Sequence, residues 1–291
     1  MSKKASTTRV CFLLGYPLGH TRSPSMHNAA FAALGLDYRY VPLEVKPEGL
    51  SAVFSALRIM ENFGGANVTV PHKVAAMELV DGRTEEAERI GAVNTLFWRD
   101  RELWGDNTDA QGFLSSLVED LGFHPRGRRV MVLGAGGAAR AVLCALIGAG
   151  VEEIYVVNRT VERAQELAQR YGKVKEAPTL VPLGFFDSRF RSALKGCDLL
   201  INSTSVGLSR DDPPLFDYDL LPPGIAVCDL IYEPPLTPLL EAARGKRCRI
   251  LNGLGMLVRQ GALSFHLWTG KEPPLEEMRG AVGNSLDRLG A

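Results

Sequence analysis

A glycine-rich segment near the middle of the chain has the residue types and the spacing that bind a diphosphate. Gly134, Gly136 and Ala139 match the pattern G-x-G-x-x-A and directly follow an apolar run at 130–133. In such a unit Gly134 permits a tight turn, Gly136 lets phosphate oxygens approach the backbone, and Ala139 allows close helix packing. The backbone N–H groups and the positive end of the helix dipole then face the anion. Glycines can also serve helix packing alone, but their position after an apolar strand favours a dinucleotide site. The predicted phosphate-binding residues are Gly134, Ala135, Gly136, Gly137 and Ala138.

The end of the next predicted strand, at 154–157, selects the dinucleotide. NAD-binding proteins place a carboxylate there, about 20 residues beyond the glycines, which accepts a hydrogen bond from the ribose 2′-hydroxyl. This chain instead has Asn158, Arg159 and Thr160, followed by Arg163. Guanidinium groups and a hydroxyl suit a 2′-phosphate, because the arginine fork donates two hydrogen bonds to phosphate oxygens. The sequence therefore predicts NADP as the cofactor, with Arg159 as the main contact; for Arg163, a solvent-facing position is the alternative.

Four polar clusters lie in the first part of the chain, close to the ends of predicted strands. Because open α/β sheets bind ligands at the carboxyl ends of their strands, we expect these clusters to form a substrate site. They lie at 21–24, 67–73, 91–95 and 105–109, with the sequences T-R-S-P, N-V-T-V-P-H-K, G-A-V-N-T and G-D-N-T-D.

Together with the glycine-rich turn and the segment N-G-L-G-M-L-V-R-Q at 252–260, these clusters resemble the motifs of shikimate dehydrogenases. The resemblance runs in order from 10 to 268, and the combination of motifs is specific to that family rather than to dinucleotide-binding proteins in general. It implies the NADPH-dependent, reversible reduction of 3-dehydroshikimate to shikimate, a step of the shikimate pathway that leads to chorismate and the aromatic amino acids.

The resemblance also implies roles for individual residues. Lys73 matches the family's catalytic lysine, and Asp109 matches its aspartate partner. Thr21 and Ser23 match hydroxyls that hold the substrate carboxylate, although the family usually has serine at the first position. Further matches are Asn67, Thr69, Asn94 and Gln260 for the ring hydroxyls, Tyr232 near the carboxylate, and Gly253 and Met256 on the cofactor. Packing alone is the alternative for Met256.

A lysine and an aspartate together suit the reduction of a ketone. Hydride transfer builds negative charge on the carbonyl oxygen, which a nearby cation and proton donor stabilises. Lys73 can provide both if Asp109 fixes its ammonium group. Coupled groups titrate as a pair, so the sequence leaves open which of the two is the formal acid–base. No metal is predicted.

Each of these residues also has a structural interpretation. A lone lysine is usually a solvated surface side chain, and Ser23 and Asp109 could be helix N-caps. Asn67 and Asn94 could do no more than hold loops together. The ordered set of motifs favours the functional interpretation.

Short apolar runs that alternate with helical patterns predict an α/β fold with a mainly parallel sheet. A first helix is expected to have Ser23 at its N-cap and Pro24 at its first helical position. Strands are predicted at 10–15, 38–45, 65–70, 91–98, 199–202 and 225–230, besides those at 130–133 and 154–157, and helices at 109–121, 140–148 and from 255 onward.

Two domains with a cleft between them are predicted. An N-terminal α/β substrate domain is expected to comprise 1–108 and 254–291, and a Rossmann-type NADP-binding domain 109–253. The substrate domain is discontinuous because the last helical region has no strand of its own and is expected to pack back on the first part of the chain.

Composition narrows the class of protein. Lys and Arg total 33, as do Asp and Glu, so the balance of charge does not favour nucleic acid as a partner. The five cysteines are scattered without disulfide or metal spacing, and no apolar run is long enough to span a membrane. The sequence predicts a cytoplasmic enzyme with a small-molecule substrate, as a monomer or homodimer. His20, His27 and His72 are expected to be structural or exposed, because none is paired with a nucleophile and their spacing is not that of metal ligands.

Three alternatives remain at this point. A quinate/shikimate dehydrogenase would use a broader range of substrates and prefer NAD; Arg159 argues against NAD, whereas Thr21 leaves tolerance for a bulkier ring open. A non-catalytic NADP-sensing protein could dispense with Lys73 and Asp109, and both are present. A folate-type dehydrogenase is not expected to combine the paired hydroxyls with Asn94 and Asp109.

Overall fold

A computed structural model describes residues 8–19, 21–174 and 177–283, so His20 lies outside the described residues. The described chain forms two compact units, the first of residues 8–112 and 257–283 and the second of residues 113–256. The predicted α/β fold is confirmed. The roles predicted for the two domains stay predictions at this point.

Helices and strands alternate along most of the described chain. The helices are α1 (Ser23–Ala33), α2 (Leu50–Ile59), α3 (Glu85–Ile90), α4 (Asp109–Glu119), α5 (Gly137–Gly148), α6 (Val161–Tyr171), α7 (Phe190–Lys195), α8 (Pro238–Gly245), α9 (Leu254–Thr269) and α10 (Leu275–Val282). The strands are β1 (Arg9–Gly15), β2 (Tyr38–Glu44), β3 (Phe63–Val68), β4 (Gly82–Arg83), β5 (Thr95–Arg99), β6 (Glu102–Asp106), β7 (Arg129–Leu133), β8 (Glu153–Val157), β9 (Thr179–Leu183), β10 (Leu199–Asn202), β11 (Ala226–Asp229) and β12 (Arg249–Leu251).

The sheet of the first unit explains why the polar clusters share one edge. Its strand order is β2-β1-β3-β5-β6-β4. Strand β1 is parallel to β3, and β5 is antiparallel to both of its neighbours, β3 and β6. The carboxyl ends of β1, β3 and β6 therefore lie at the same edge as the amino end of β5. The four clusters at 21–24, 67–73, 91–95 and 105–109 lie at or just beyond these ends.

Two local predictions in this unit are wrong. The strand predicted at 91–98 begins only at Thr95, because Gly91 ends α3 with a left-handed backbone (φ 69°). Ser23 is not the N-cap of α1, and Pro24 is not its first residue. Arg22 occupies the N-cap, since its carbonyl accepts the first helical hydrogen bond, from the N–H of Met26 (3.2 Å).

The sheet of the second unit has the order β12-β11-β10-β7-β8-β9, with every pair parallel. The order reverses between β7 and β10, and ligands of doubly wound folds bind at the carboxyl ends of the strands beside such a reversal. Val130 to Leu133 of β7 are fully buried, as predicted for a strand covered on both faces. Among the described residues, no helix is long and apolar enough to cross a membrane.

Candidate active site

The structure brings the two predicted catalytic side chains into direct contact. Lys73 lies in the loop after β3, and Asp109 is the first residue of α4. The distance between Lys73 Nζ and Asp109 Oδ2 is 2.6 Å, and the side chains are only 14% and 5% exposed. Because water is largely excluded from the pair, the charge on each group is stabilised mainly by the other.

Asn94 holds the second oxygen of the same carboxylate. Its Nδ2 donates to Asp109 Oδ1 at 2.8 Å. Its own Oδ1 accepts from the backbone N–H of Thr108 (2.9 Å) and from the Thr95 hydroxyl (2.8 Å), which fixes the side-chain amide with its NH₂ group toward Asp109. Both carboxylate oxygens of Asp109 are therefore occupied by donors.

Asn67 and Gln260, which were predicted to bind ring hydroxyls, lie in the same part of the first unit. Asn67 is buried, and its Nδ2 donates to Ser264 Oγ (2.9 Å) and the Asn94 carbonyl (3.2 Å). Gln260 Oε1 lies 3.4 Å from Asn94 Nδ2. A Cβ atom on Gly112 would lie 2.8 Å from the Gln260 backbone nitrogen, so glycine in α4 permits the close approach of α9.

The predicted carboxylate-binding hydroxyls follow β1. Ser23 is 7% exposed, and its backbone N–H donates to Thr21 Oγ1 at 3.3 Å. Since Arg22 occupies the N-cap, the Ser23 hydroxyl does not have the capping role that was its structural interpretation. Thr69 is half-buried just beyond β3. Tyr232 belongs to the second unit, where it follows β11 and is half-buried; its contact with substrate stays a prediction.

The glycine-rich turn in the second unit has space for a diphosphate. Gly134 has φ 110°, and a Cβ atom there would lie 2.7 Å from Ser203 Oγ, so only glycine fits. Among the described residues, no atom lies within 4 Å of a Cβ atom placed on Gly136, and Gly136, the N-cap of α5, has no side chain to cap the helix. Ala139 is buried beneath the turn. Open space above uncapped backbone N–H groups fits a phosphate ligand.

Two exposed arginines and a hydroxyl follow β8. Arg159, Thr160 and Arg163 are exposed, and among the described residues neither guanidinium forms an ion pair. Thr160 is the N-cap of α6, but its hydroxyl makes no capping hydrogen bond. Asn158 Nδ2 donates to the Thr160 carbonyl at 2.8 Å, which holds the turn in shape. These groups fit a 2′-phosphate.

Gly253 and Met256 lie at the start of α9 within the second unit. A Cβ atom on Gly253 would lie 2.0 Å from the Leu230 carbonyl oxygen, so close packing by itself requires glycine here. Met256 is half-buried. Their contacts with a cofactor stay predictions.

Two of the histidines considered in the sequence, His27 and His72, are buried in the first unit. His27 is fully buried, and its ring stacks on Tyr40 with centroids 4.4 Å apart. Burial lowers the pKa of His27 to about 3. Buried His72 contacts the Val45 carbonyl through Nε2 (2.6 Å). His27 and His72 are thus structural, as predicted.

Asp229, at the carboxyl end of β11, was not identified from the sequence. Burial raises its pKa to about 6, although three donors oppose the shift. These are the Thr237 hydroxyl (2.7 Å), the Ile231 N–H (3.0 Å) and Asn202 Nδ2 (3.1 Å). The carboxylate therefore holds the ends of the loop that carries Tyr232.

Other residues of the site were also missed. Thr95 and Thr108 lie inside recognised motifs, so their positions beside Asn94 and Asp109 were the available signal. Tyr40 and Ser264 lie far away in sequence and have no motif of their own.

Three family models match successive parts of the chain. The shikimate dehydrogenase substrate binding domain matches residues 13–96, and shikimate/quinate 5-dehydrogenase matches residues 117–208. The shikimate 5′-dehydrogenase C-terminal domain matches residues 253–282.

Similar proteins cover nearly the whole chain. A shikimate dehydrogenase (NADP⁺) of Methanopyrus kandleri is 46% identical over 94% of this chain and 95% of its own length. The crystal structure of shikimate dehydrogenase from Aquifex aeolicus has a TM-score of 0.86 at 35% identity, over 96% of this chain and 99% of that one. The shikimate 5-dehydrogenase of Thermus thermophilus, in complex with NADP(H) and shikimate, has a TM-score of 0.82 at 38% identity, over 95% and 99%.

Proposed function

This chain belongs to the shikimate dehydrogenase family, and we infer that it catalyses the reversible, NADPH-dependent reduction of 3-dehydroshikimate to shikimate. The observation that supports this most strongly is the 2.6 Å contact between the Lys73 ammonium and the Asp109 carboxylate, both nearly buried. A buried cation beside a fixed carboxylate suits the reduction of a ketone, because it can stabilise the negative charge that develops on the carbonyl oxygen and supply a proton.

Lys73 and Asp109 handle the charge and the proton of the reaction. When NADPH is bound, it supplies the hydride. The Lys73 ammonium stabilises the negative charge that develops on the substrate oxygen and donates a proton to it. Asp109 holds the ammonium in place and accepts a hydrogen bond from Asn94 at the same time. The two groups act as one coupled acid–base pair.

Neighbouring polar groups orient the substrate. Thr21 and Ser23 bind its carboxylate through their hydroxyls, and Tyr232 is a further candidate contact of the same carboxylate. The ring hydroxyls are bound by Asn67, Thr69, Asn94 and Gln260. Gln260 is the most adaptable of these, since it is half-buried and its contact with Asn94 is long (3.4 Å).

The second unit binds NADP. The turn from Gly134 to Ala138 holds the diphosphate, and Gly253 and Met256 lie beside the rest of the cofactor. Arg159, Thr160 and Arg163 bind the 2′-phosphate, with Asn158 shaping the turn. Three donors without a carboxylate at the strand end favour NADP over NAD.

Quinate/shikimate dehydrogenase activity is the second candidate, because Thr21 stands where the family usually has serine. Thr21 keeps the hydroxyl donor but adds a methyl group, which leaves tolerance for the bulkier ring of quinate open. We further propose a cytoplasmic location, because the five cysteines, all among the described residues, form no disulfide. The assembly is a monomer or a homodimer.

Steady-state kinetics with two substrates and two cofactors tests the proposed function. Purified protein should oxidise shikimate with NADP⁺ with a kcat/KM at least about tenfold above that with NAD⁺, or with quinate in place of shikimate. Equal or greater efficiency with quinate would favour the second candidate. No turnover of shikimate with either cofactor would refute the proposal.

A further inference from the structure

A row of buried hydroxyl and amide groups lies behind the Asp109 carboxylate. It begins at Tyr40, whose hydroxyl donates to Asn67 Oδ1 at 2.8 Å. Asn67 Nδ2 donates to Ser264 Oγ at 2.9 Å, and Ser264 Oγ lies 2.7 Å from Thr95 Oγ1. These groups join α9 to strands β2, β3 and β5.

From Thr95 the row continues to the catalytic pair. The Thr95 hydroxyl donates to Asn94 Oδ1 at 2.8 Å, and Asn94 Nδ2 donates to Asp109 Oδ1 at 2.8 Å. The row ends at Lys73, whose Nζ donates to the other carboxylate oxygen, Asp109 Oδ2.

The hydrogen bonds in this row can all run in one direction. Thr95 donates to Asn94 Oδ1 and Ser264 accepts from Asn67 Nδ2, whereas either oxygen can be the donor in the contact between Ser264 and Thr95. With Ser264 as that donor, each donor from Tyr40 to Asn94 points toward the Asp109 carboxylate, and hydrogen bonds in such a chain strengthen one another.

The need of a buried helical serine for one hydrogen-bond acceptor does not explain this arrangement. Ser264 has an alternative acceptor within its own helix, the Gln260 carbonyl at 3.1 Å, which is the usual partner of a serine inside a helix. Its oxygen nevertheless lies closer to Thr95, at 2.7 Å. Both hydroxyl residues are fully buried, at a depth where alanine and valine would pack without any need for hydrogen bonds.

We propose that Thr95 and Ser264 are positioning residues of the reaction. Their hydroxyl pair prevents rotation of the Asn94 amide, and Asn94 in turn keeps the Asp109 carboxylate oriented toward Lys73. Neither hydroxyl touches the reacting atoms. The inference rests on the proposed function, because turnover of shikimate is the readout.

Two variants remove one hydroxyl each. Thr95→Val keeps the shape of the side chain, and Ser264→Ala is the smallest change available in α9. Each should lower kcat for shikimate oxidation by about tenfold while the KM for NADP⁺ stays within about twofold of wild type. Thr95→Ser, which keeps the hydroxyl, should restore most of the kcat lost in Thr95→Val.

A double variant and a control separate positioning from packing. Because the two hydroxyls act through one path, Thr95→Val with Ser264→Ala should lower kcat by little more than either change alone. Ser116→Ala is the matched control: Ser116 is a buried serine of α4 whose hydroxyl donates to Asp120 (2.8 Å), and its loss should leave kcat unchanged.

The results distinguish this inference from the proposed function. If wild-type protein turns over shikimate and Ser264→Ala retains the wild-type kcat, the positioning role is wrong and the proposed function stands. The same holds if Thr95→Ser is as impaired as Thr95→Val. If Thr95→Val does not fold, Ser264→Ala alone decides. If wild type does not turn over shikimate, the proposed function itself fails.

Discussion

At the scale of single residues, the position of a charge determines which cofactor and which reaction the chain supports. Arg159 and Arg163 are exposed and lack ion pairs among the described residues, so their guanidinium groups can meet a phosphate without first breaking an internal contact. A hydrogen bond to a charged group typically contributes about 1.5–3 kcal/mol, which corresponds to roughly ten- to hundredfold in affinity.

Arg159→Ala should therefore raise the KM for NADP⁺ by about tenfold or more and leave the KM for NAD⁺ unchanged, because only NADP⁺ has the 2′-phosphate. Initial rates at saturating shikimate measure both values. Arg191→Ala removes another exposed arginine, on α7, and should change neither KM. An equal effect of Arg159→Ala on both cofactors would contradict its assignment to the 2′-phosphate.

Motifs predicted the residues of the site better than they predicted its hydrogen bonds. Lys73, Asn94 and Asp109 belong to short local patterns, so their chemistry was visible in the sequence. Ser264 became part of the site only through the packing of α9, and no local pattern encodes a contact over that distance in the chain.

At the scale of elements, strand ends and helix starts position the candidate residues within each unit. The strand predicted at 91–98 begins only at Thr95, because Gly91 ends helix α3 in a left-handed conformation. Helix α3, whose N-cap is Thr84, has only six residues and is too short to show helical periodicity in the sequence. The consequence is functional, since Asn94 lies in the turn before β5 and can therefore face Asp109.

Gly136→Ala tests the turn between β7 and α5. The backbone at Gly136 is extended and a Cβ atom would meet no protein atom within 4 Å, so the melting temperature should stay unchanged. The added methyl group should nevertheless weaken NADP⁺ binding by about tenfold, because it occupies the space needed by the diphosphate. Gly148→Ala, at the other end of the same helix, is the control and should lower neither the melting temperature nor the affinity for NADP⁺. Unchanged NADP⁺ affinity in Gly136→Ala would place the diphosphate elsewhere.

At the scale of the whole molecule, buried ionisable groups couple folding to pH. The pKa of His27 is lowered to about 3 in the folded protein, against 6.5 for the free side chain. The unfolded chain therefore binds this proton first as the pH falls, and the stability that neutral His27 provides above pH 6.5 is lost progressively down to pH 3. Asp229 acts in the opposite direction, because its pKa is raised to about 6 and the folded state binds its proton first.

Comparison with His27→Leu isolates the histidine contribution. Between pH 7 and pH 5, His27 should reduce the free energy of unfolding by about 2 kcal/mol, since each pH unit below 6.5 costs about 1.4 kcal/mol. Urea unfolding at the two pH values should show this loss in wild type relative to His27→Leu. His124→Leu, at an exposed histidine, should keep the wild-type pH dependence. Identical pH dependence in wild type and His27→Leu would mean that His27 is protonated alike in both states.

The architecture of the molecule was the most predictable feature. Val130 to Leu133 and Leu199 to Asn202 have the continuous apolar or fully buried character of parallel strands, and helix α5 follows the first of these strands directly. The pKa values of buried groups such as His27 and Asp229 could not be predicted, because they depend on what surrounds each group in three dimensions and not on its neighbours in sequence.

The central claim is that the Lys73–Asp109 pair carries out the charge and proton chemistry of shikimate turnover. Lys73→Ala tests it most directly, with kcat and the NADP⁺ dissociation constant measured on the same preparation and Lys46→Ala as an exposed-lysine control. We predict that kcat falls by at least about a hundredfold in Lys73→Ala while NADP⁺ affinity stays within about twofold of wild type. A Lys73→Ala variant with the kcat of wild type would contradict the account.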